Sequence, residues 1–263
     1  MNTPVASQAY LQHFSLAGQV ALITGSARGL GLCMARAMAG CGAHVLINGR
    51  NAEATETAAQ TLRAQGLAAS ALAFDVADDD AMARAFDHID REHDRLDILV
   101  NNVGARNRKT LQAITAAEIR ALIDTDLIAS MLLSKCSSER MVRQGSGRLI
   151  TITSIAGELA RSGDAVYPAA KQGLTGMMRA LAAELGPLGI TSNAIAPGTF
   201  ATETNAAMVT DPTVYEKLAS RNPMGRWGHP EEIAGAAVFL ASPVASYING
   251  QVLAVDGGLS ILF

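Results

Sequence analysis

The feature that most constrains the fold is a short apolar run followed by an Ala-rich amphipathic segment, a pair that recurs along most of the 263 residues. The runs are apolar along their whole length, as expected for strands that helices cover on both faces. Because strands alternate with helices, we predict a doubly wound α/β fold with a parallel sheet. The predicted strands are Val20–Thr24, His44–Asn48, Ala71–Phe74, Leu96–Val100, Arg148–Thr153, Thr191–Ala196 and Gln251–Val255.

The segments between the strands have the apolar spacing of helices, and no linker, composition break or repeat divides the chain. We therefore expect one domain over residues 1–263, with a cofactor half at about 15–150 and a catalytic and substrate half at about 151–263. The aperiodic segment from Pro197 to Asn205 follows the sixth strand and is a candidate substrate lid. The predicted helices are Leu30–Gly40, Ala52–Ala64, Asp79–Glu92, Ala116–Val142, Ala165–Leu185 and Glu231–Leu240.

The charge balance and the cysteine count argue against several classes of protein. Lys and Arg number 21 against 24 Asp and Glu, a net charge of −3, so nucleic-acid and membrane partners are not expected. The three cysteines form no CxxC pair, so we expect no metal site, no disulfide framework and a reducing compartment. No signal peptide or run of roughly 18 apolar residues is visible. We expect a cytoplasmic protein that acts on a small molecule.

A glycine-rich turn joins the first predicted strand to the first predicted helix. Glycines let such a turn bring backbone N–H groups close to a pyrophosphate, while the helix N-terminus attracts the anion. A purely structural tight turn is the alternative, and the placement between strand and helix disfavours it. The predicted cofactor-binding residues of this turn are Gly25, Ser26, Arg28, Gly29, Leu30 and Gly31.

The residues after the second strand predict which dinucleotide binds. An acidic side chain there would bind the ribose 2′-hydroxyl of NAD, but the sequence reads Asn48-Gly49-Arg50. Arg50 and Arg28 are placed to hold a 2′-phosphate, for which a guanidinium is well suited. We expect Asn48, Arg50 and Arg28 to bind the cofactor and therefore favour NADP(H) over NAD(H), the alternative for the two arginines being solvated surface positions.

Tyr167 and Lys171 are four residues apart in a predicted helix and therefore share one face. A free tyrosine has a pKa of about 10, and a neighbouring ammonium is expected to lower it, which makes Tyr167 a candidate general acid and base. Ser154 follows the fifth strand, where its hydroxyl can bond a carbonyl or alkoxide oxygen. Taken alone, this spacing is a common accident; the nucleotide-binding turn in the same domain favours catalysis.

Together these residues give the chain a resemblance to the short-chain dehydrogenase/reductase family over nearly its full length. The resemblance implies a Rossmann-type sheet of seven strands, hydride transfer to or from a nicotinamide, and a homotetramer. The matching motifs are Thr24-Gly25-x-x-x-Gly29-x-Gly31, Asn101-Asn102-Val103-Gly104, Ser154, Tyr167-x-x-x-Lys171, Asn193-Ala-Ile-Ala-Pro197-Gly198 and Asp256-Gly257-Gly258.

The resemblance also implies roles for residues outside the turn. Asp75 and Val76 are expected to flank the adenine, and Asn102 and Gly104 to line the adenosine ribose. Lys171 is expected to bind the nicotinamide ribose beside Tyr167. The expected neighbours of the nicotinamide carboxamide are Ile195, Gly198 and Thr202, and Pro197 is a further expected cofactor-binding residue.

One position departs from the family pattern. The family has an asparagine in a motif like DTNL, where it supports a water-linked proton path to the lysine; this chain reads Asp124-Thr125-Asp126-Leu127. Asp126 lacks the amide donors and can add a negative charge near Lys171, so we expect a slower proton relay.

The stretches Phe14-Ser-Leu-Ala-Gly18, Asn48-Gly49-Arg50, Glu158-Leu-Ala-Arg161 and Phe200-Ala-Thr-Glu203-Thr-Asn205 resemble, within the family, those of gluconate 5-dehydrogenases. A sugar-acid pocket needs a cation and polar groups, and the expected substrate contacts are Arg108, Ser154, Glu158 and Arg161. For Arg108 a solvated basic loop is the alternative. The rival functions are a 3-oxoacyl-carrier-protein reductase or another carbonyl reductase, and a non-catalytic NADPH-binding protein.

Overall fold

The computed structural model describes residues 9–159 and 162–262 of the chain, and its centre is one parallel sheet. The strands lie in the order β3-β2-β1-β4-β5-β6-β7. The predicted doubly wound sheet of seven parallel strands is therefore confirmed. The strands are β1 (Val20–Ile23), β2 (His44–Gly49), β3 (Ala69–Ala73), β4 (Ile98–Asn101), β5 (Gly147–Ile152), β6 (Ile190–Pro197) and β7 (Val252–Val255).

Helices connect successive strands and cover both faces of the sheet. A first group lies along the chain up to β5: α1 (Gly29–Gly40), α2 (Ala52–Arg63), α3 (Asp79–His93), α4 (Ala116–Ile123) and α5 (Ala129–Gln144). A second group follows: α6 (Val166–Leu185), α7 (Ala206–Val209), α8 (Pro212–Ala219) and α9 (Ala234–Ala241). Short 3₁₀ turns at Ile155–Gly157, Glu203–Asn205 and Pro230–Ile233 join several of these elements.

The side chains of alternate strand residues pack into two separate hydrophobic cores, because successive side chains of a strand point to opposite faces of the sheet. Ala21 and Ile23 pack with residues of α1, α2 and α9, whereas Val20 and Leu22 pack with residues of α3 and α5. Each inner strand is therefore buried on both sides, which explains why the sequence runs are apolar throughout.

The prediction of a single helix over Ala116–Val142 is wrong in one respect. The structure divides it into α4, a π-helical turn at Asp124–Ile128, and α5. A π turn adds a residue to one helical turn, and this does not disturb the apolar periodicity enough to be visible in the sequence. A capping box begins α4: the Glu118 carboxylate accepts from Thr115 N at 2.9 Å, and Thr115 Oγ1 accepts from Glu118 N at 3.2 Å.

In the part of the chain that the structure describes, none of the helices has the length and apolarity needed to cross a membrane. The same residues contain no group of three or more His, Cys, Asp or Glu side chains placed to hold a metal ion.

Candidate active site

A cleft of about 830 Å³ lies at the carboxyl edge of the sheet. It opens where β1 stands between β2 and β4, the point at which the order of the strands reverses. Open α/β sheets bind their ligands at this point. The wall includes Gly25, Arg28, Gly29, Leu30, Gly31, Asn48, Arg50, Asn102, Gly104, Ser154, Tyr167, Lys171, Pro197, Gly198 and Thr202, all of them predicted from the sequence.

The glycine-rich turn is shaped by backbone conformations and contacts that exclude side chains. Gly25 and Gly29 have φ values of +60° and +57°, in the left-handed region that favours glycine. A Cβ on Gly31 would lie 2.6 Å from the Gly25 carbonyl oxygen and 2.7 Å from Asn102 Nδ2. The start of α1 therefore packs against the turn as closely as a backbone can, and its N–H groups border the cleft.

Two residues predicted to bind the cofactor, Asn48 and Ser26, use their side chains to hold this turn, and their contact with a cofactor stays a prediction. Asn48 Oδ1 accepts from Gly25 N at 3.2 Å, and Asn48 Nδ2 donates to the carbonyl oxygens of Leu72 and Phe74, each at 3.1 Å. The Ser26 hydroxyl donates to Ile23 O at 2.6 Å and accepts from Asn48 N at 3.0 Å. Ser26 is fully buried, so its side chain supports the turn from inside the protein.

Asn102 connects the end of β4 to the same turn. Its Nδ2 donates to Thr24 O at 2.8 Å and to Gly25 O at 3.2 Å, while its backbone N donates to Thr24 Oγ1 at 2.9 Å. These hydrogen bonds therefore fix β1 and β4 to one another at their carboxyl ends, beside the cleft.

Arg28 and Arg50 both line the cleft and are exposed to solvent. Arg50 Nη1 lies 3.9 Å from Asp75 Oδ2, and the Arg50 side chain is 80% exposed, so this contact leaves the guanidinium accessible to an anion. Asp75 and Val76 directly follow β3 and stand outside the cleft wall, Asp75 half-buried and Val76 buried. Their predicted contact with adenine stays a prediction.

Lys171 is buried at the base of the cleft. Its ammonium donates to Ile152 O at 3.1 Å, and a Cβ on Gly104 would lie 3.0 Å from its Nζ. Gly104 therefore provides the space that the lysine occupies. Burial lowers the pKa of Lys171, and the charge of Asp126 opposes this effect.

Tyr167 stands beside Lys171, with Nζ 5.6 Å from the centre of the phenol ring. The expected direction of its pKa shift is wrong: burial raises the pKa of Tyr167, and hydrogen bonding to Ser154 and the charge of Arg106 only partly counteract it. A neighbouring ammonium favours the phenolate, but burial removes water from it, and this desolvation is the largest influence on the pKa of Tyr167. In the free protein Tyr167 is therefore a protonated phenol at neutral pH.

Asp126 lies fully buried in the π turn. Its Oδ1 accepts from Ala105 N at 2.6 Å. Its Oδ2 lies 3.6 Å from the position of a Cβ on Gly104, on the side of Lys171, and has no hydrogen-bond partner among the described residues. Burial raises the pKa of Asp126, and Lys171 and the Ala105 amide oppose the rise.

An ion pair that the sequence analysis did not predict borders Tyr167. Arg106 Nε donates to Asp164 Oδ2 at 2.6 Å, and a second guanidinium nitrogen contacts the same oxygen. The Arg106 Cζ atom lies 4.7 Å from the centre of the Tyr167 ring. The two residues are 58 positions apart in the chain, so no local pattern indicates the pair.

The predicted substrate residues are only partly brought together. Arg108 and Ser154 line the cleft, whereas Glu158 is exposed outside its wall. Arg161 falls outside the described residues. Lys109, from the same basic segment as Arg108, is bound to Glu118 at 2.6 Å. The loop after β6, from Gly198 to Asn205, contributes Thr202 and forms one side of the cleft, as the predicted lid would.

The cleft is large enough for a dinucleotide. It has a phosphate-binding turn at one end and a tyrosine, a lysine and a serine at the other. This arrangement defines the nicotinamide-dependent oxidoreductases with a Rossmann-type sheet. The chain belongs to the short-chain dehydrogenase/reductase family: a family profile described as enoyl-(acyl carrier protein) reductase matches residues 25–260.

Similar proteins cover nearly the whole chain. Gluconate 5-dehydrogenase of Gluconobacter oxydans (strain 621H) is 41% identical over 94% of this chain and 97% of that protein. The crystal structure of a gluconate 5-dehydrogenase from Burkholderia cenocepacia J2315 in complex with NADP and tartrate is 40% identical, with a TM-score of 0.93 over 97% of this chain and 100% of that chain. A 3-oxoacyl-[acyl-carrier-protein] reductase of Synechocystis sp. (strain ATCC 27184 / PCC 6803 / Kazusa) is 38% identical over 93% of this chain and 98% of that protein.

The position of Asp126 leads to a first prediction. Asp126→Asn removes a buried carboxylate beside Lys171 and restores amide donors, so turnover is expected to rise by a factor of roughly two to ten, within the range of such charge effects. Steady-state kcat, measured with any alcohol that the enzyme oxidises, checks it.

Asp124→Asn is the matched control, because it removes the same charge from an exposed position of the same π turn. Equal kcat values for wild type and Asp126→Asn would show that this position does not limit turnover.

Proposed function

We propose that this protein is an NADP(H)-dependent oxidoreductase that interconverts a secondary alcohol and a ketone in a sugar acid of the gluconate and 5-ketogluconate type. The observation that carries the proposal is the meeting of Tyr167, Lys171 and Ser154 at the edge of a cleft whose other end is a phosphate-binding turn. The similarity to gluconate 5-dehydrogenases over nearly the whole chain supports this choice of substrate class.

The residues of the cleft fit a dinucleotide with a 2′-phosphate. Gly25, Gly29 and Gly31 leave the backbone open to a pyrophosphate, and the exposed guanidinium groups of Arg28 and Arg50 favour the additional phosphate of NADP(H). Gly104, Pro197, Gly198 and Thr202 would line the nucleoside portions. When bound, the reduced cofactor supplies the hydride for the carbonyl carbon.

The chain's own residues handle the proton. In ketone reduction the protonated phenol of Tyr167 donates its proton to the carbonyl oxygen, and the Ser154 hydroxyl bonds the same oxygen as negative charge develops. The phenolate that remains is reprotonated from the side of Lys171, where Asp126 borders the ammonium. In alcohol oxidation Tyr167 must first lose its proton, and because its pKa is raised, oxidation is favoured by higher pH.

The substrate side is formed by loops. Arg108 is proposed to bind the carboxylate of the sugar acid, with Ser154, Glu158 and Arg161 as further contacts for its hydroxyl groups. Two of these, Arg108 and Ser154, line the cleft in the free protein.

A 3-oxoacyl-carrier-protein reductase is the second candidate, since such an enzyme is 38% identical to the chain. Docking of an acidic carrier protein requires unpaired cations at the mouth of the cleft. Arg106, in the cleft wall, is already paired with Asp164, and Lys109 of the same loop is paired with Glu118, which favours the small sugar acid. A non-catalytic NADPH-binding protein is disfavoured because Ser154, Tyr167 and Lys171 converge in one cleft.

The decisive experiment measures NADPH oxidation with 5-ketogluconate, other keto-sugar acids and an acetoacetyl thioester. We expect the highest kcat/KM with a keto-sugar acid, and a loss of at least about 100-fold in Tyr167→Phe, in line with the size of general acid catalysis. NADPH binding without turnover on every carbonyl would instead support a non-catalytic protein, and a preference for the thioester would support the carrier-protein reductase.

The same assay on Arg108→Ala separates the substrate from the cofactor. KM for the keto-sugar acid is expected to rise by about tenfold or more, because a charged hydrogen bond is lost, while NADPH affinity stays the same. An unchanged KM would remove Arg108 from the substrate site.

Cofactor preference gives a further prediction. Arg50→Asp replaces a guanidinium with a carboxylate at the end of β2, where an acid binds the 2′-hydroxyl of NAD and repels a 2′-phosphate. The wild type is expected to have a higher kcat/KM with NADPH than with NADH, and the variant is expected to have a higher kcat/KM with NADH. Arg63→Asp, on α2 and outside the cleft wall, is the control, and an unchanged ratio in Arg50→Asp would contradict the assignment.

We also propose a cytoplasmic homotetramer. Apolar side chains are exposed on two different elements, Leu253 on the edge strand β7, and Ile128 of the π turn with Met131 of α5. Two distinct self-complementary faces are what a tetramer with twofold axes requires. Cys33, Cys41 and Cys136 are free thiols, which suits a reducing compartment.

Sedimentation velocity tests the assembly. We expect the mass of four chains for the wild type, and smaller species for Leu253→Arg and Met131→Arg, because a buried unpaired charge is unfavourable at an interface. A wild-type monomer at micromolar concentration would contradict the proposal.

A further inference from the structure

Two cations contact the ring of Tyr167. The Arg106 Cζ atom lies 4.7 Å from the ring centre and the Lys171 Nζ atom lies 5.6 Å from it. A cation at this distance is attracted to an aromatic ring, and more strongly still to the phenolate that forms when the hydroxyl loses its proton.

Each of these cations has a buried carboxylate beside it. Asp164 binds Arg106, and Asp126 borders Lys171 across the space that Gly104 leaves open. The four charged groups come from four parts of the chain: the loop after β4, the π turn, the loop before α6, and α6 itself. Ser154, at the end of β5, adds an uncharged hydroxyl.

The Arg106–Asp164 pair has a geometry that favours a role toward Tyr167. Two of the three guanidinium nitrogens, Nε and Nη2, contact the same oxygen, Oδ2, while Oδ1 is buried and has no hydrogen-bond partner in the described part of the chain. Asp164 is buried whereas Arg106 is partly exposed, and a pair that served stability alone would satisfy both buried carboxylate oxygens, since an unpaired buried acceptor is unfavourable. Here the carboxylate fixes the guanidinium over the ring.

We propose that Arg106, held by Asp164, is a positioning residue for proton transfer that offsets the extra negative charge of Asp126. The inference rests on the proposed role of Tyr167 as the proton donor. When Tyr167 protonates the substrate oxygen, its O–H bond breaks, a new O–H bond forms on the product, and the electron pair stays on the phenol oxygen. Arg106 stabilises that anion until a proton returns from the side of Lys171.

Arg106 suits this task better than Lys171 does. A guanidinium keeps its charge at every pH at which proteins are folded, whereas the buried ammonium of Lys171 has a lowered pKa. Asp126 and Asp164 both raise the pKa of Tyr167, and the charge of Arg106 lowers it. A chain with Asp126 in the π turn therefore needs a second cation at the ring to keep the phenol able to exchange its proton.

A double-mutant cycle tests the compensation with Arg106→Gln, Asp126→Asn and the double variant. In alcohol oxidation at a fixed pH below the Tyr167 pKa, Arg106→Gln is expected to lower kcat about tenfold, Asp126→Asn to raise it, and the double variant to return near wild type. Raising the pH by about one unit should restore the rate of Arg106→Gln, because only the ionisation of Tyr167 has moved. Arg106→Lys should keep most of the wild-type rate, since the charge remains.

Lys109→Gln is the matched control: it removes one positive charge from the same loop at a residue bound to Glu118. Its pH profile should match that of the wild type. A rate loss in Arg106→Gln that is equal at every pH, or equal losses in Arg106→Gln and Arg106→Lys, would indicate a merely structural role and overturn the proposal.

A second readout does not depend on any substrate. The protein carries four tyrosines, and ¹³Cζ-labelling gives a signal for each, with Tyr167 identified by Tyr167→Phe. In the cofactor-free protein the Tyr167 ionisation should move to higher pH in Arg106→Gln and to lower pH in Asp126→Asn. If these shifts occur but no alcohol reacts, the proposed function fails and the charge compensation stands. If the enzyme reacts but the shifts are absent, the proposed function stands and the charge compensation fails.

Discussion

The burial of one ammonium, that of Lys171, is the interaction on which the rest of the site depends. A lysine enclosed by protein is unfavourable unless its donors and its charge find partners. Ile152 O supplies an acceptor from the end of β5, Gly104 supplies the space after β4, and Asp126 supplies a charge of opposite sign. Because parallel strands end at one edge of the sheet, segments far apart in sequence converge on this atom, and Tyr167 is fixed one helical turn away.

The π turn explains how a carboxylate reaches this position. Residues 124–128 form a wider helical turn between α4 and α5, and Asp126 is its buried member. Turns of this kind are rare and often occur at functional sites. Ser130 Oγ donates to Asp126 O at 3.1 Å, so the polar start of α5 holds the backbone of the turn. The turn leaves the carboxylate with one amide donor and with its second oxygen facing Lys171.

The parts of the fold and site that the sequence predicts are those that local rules determine. Each of the strands β1 to β7 begins within two residues of its predicted start and ends within one residue of its predicted end. The agreement is this close because burial on both faces makes each strand apolar along its length. The turn from Gly25 to Gly31 was visible because backbone geometry demands glycine there. Three features follow from tertiary packing and were missed: the π turn, the raised pKa of Tyr167 and the Arg106–Asp164 pair. Asn48 and Ser26 lie between these two groups. The sequence predicts their position at the turn, but it does not predict that their side chains hold the turn by hydrogen bonds.

The two ends of the cleft are built differently, and this difference bears on how the family changes substrate. The cofactor end consists of strand ends and a helix start joined by buried hydrogen bonds such as those of Asn48 and Asn102, so few of its residues can change without loss of the turn. The other end is made of the loops after β4, β5 and β6, and Arg108 and Thr204 of these loops line the cleft. Loops tolerate substitution better than packed strands do. Proteins about 40% identical to this chain can therefore keep the turn and the tyrosine while they bind different hydroxyl or carbonyl compounds. The Arg106–Asp164 pair joins the loops after β4 and β5 directly beside Tyr167, so in this chain a change in either of these loops also reaches the proposed proton donor.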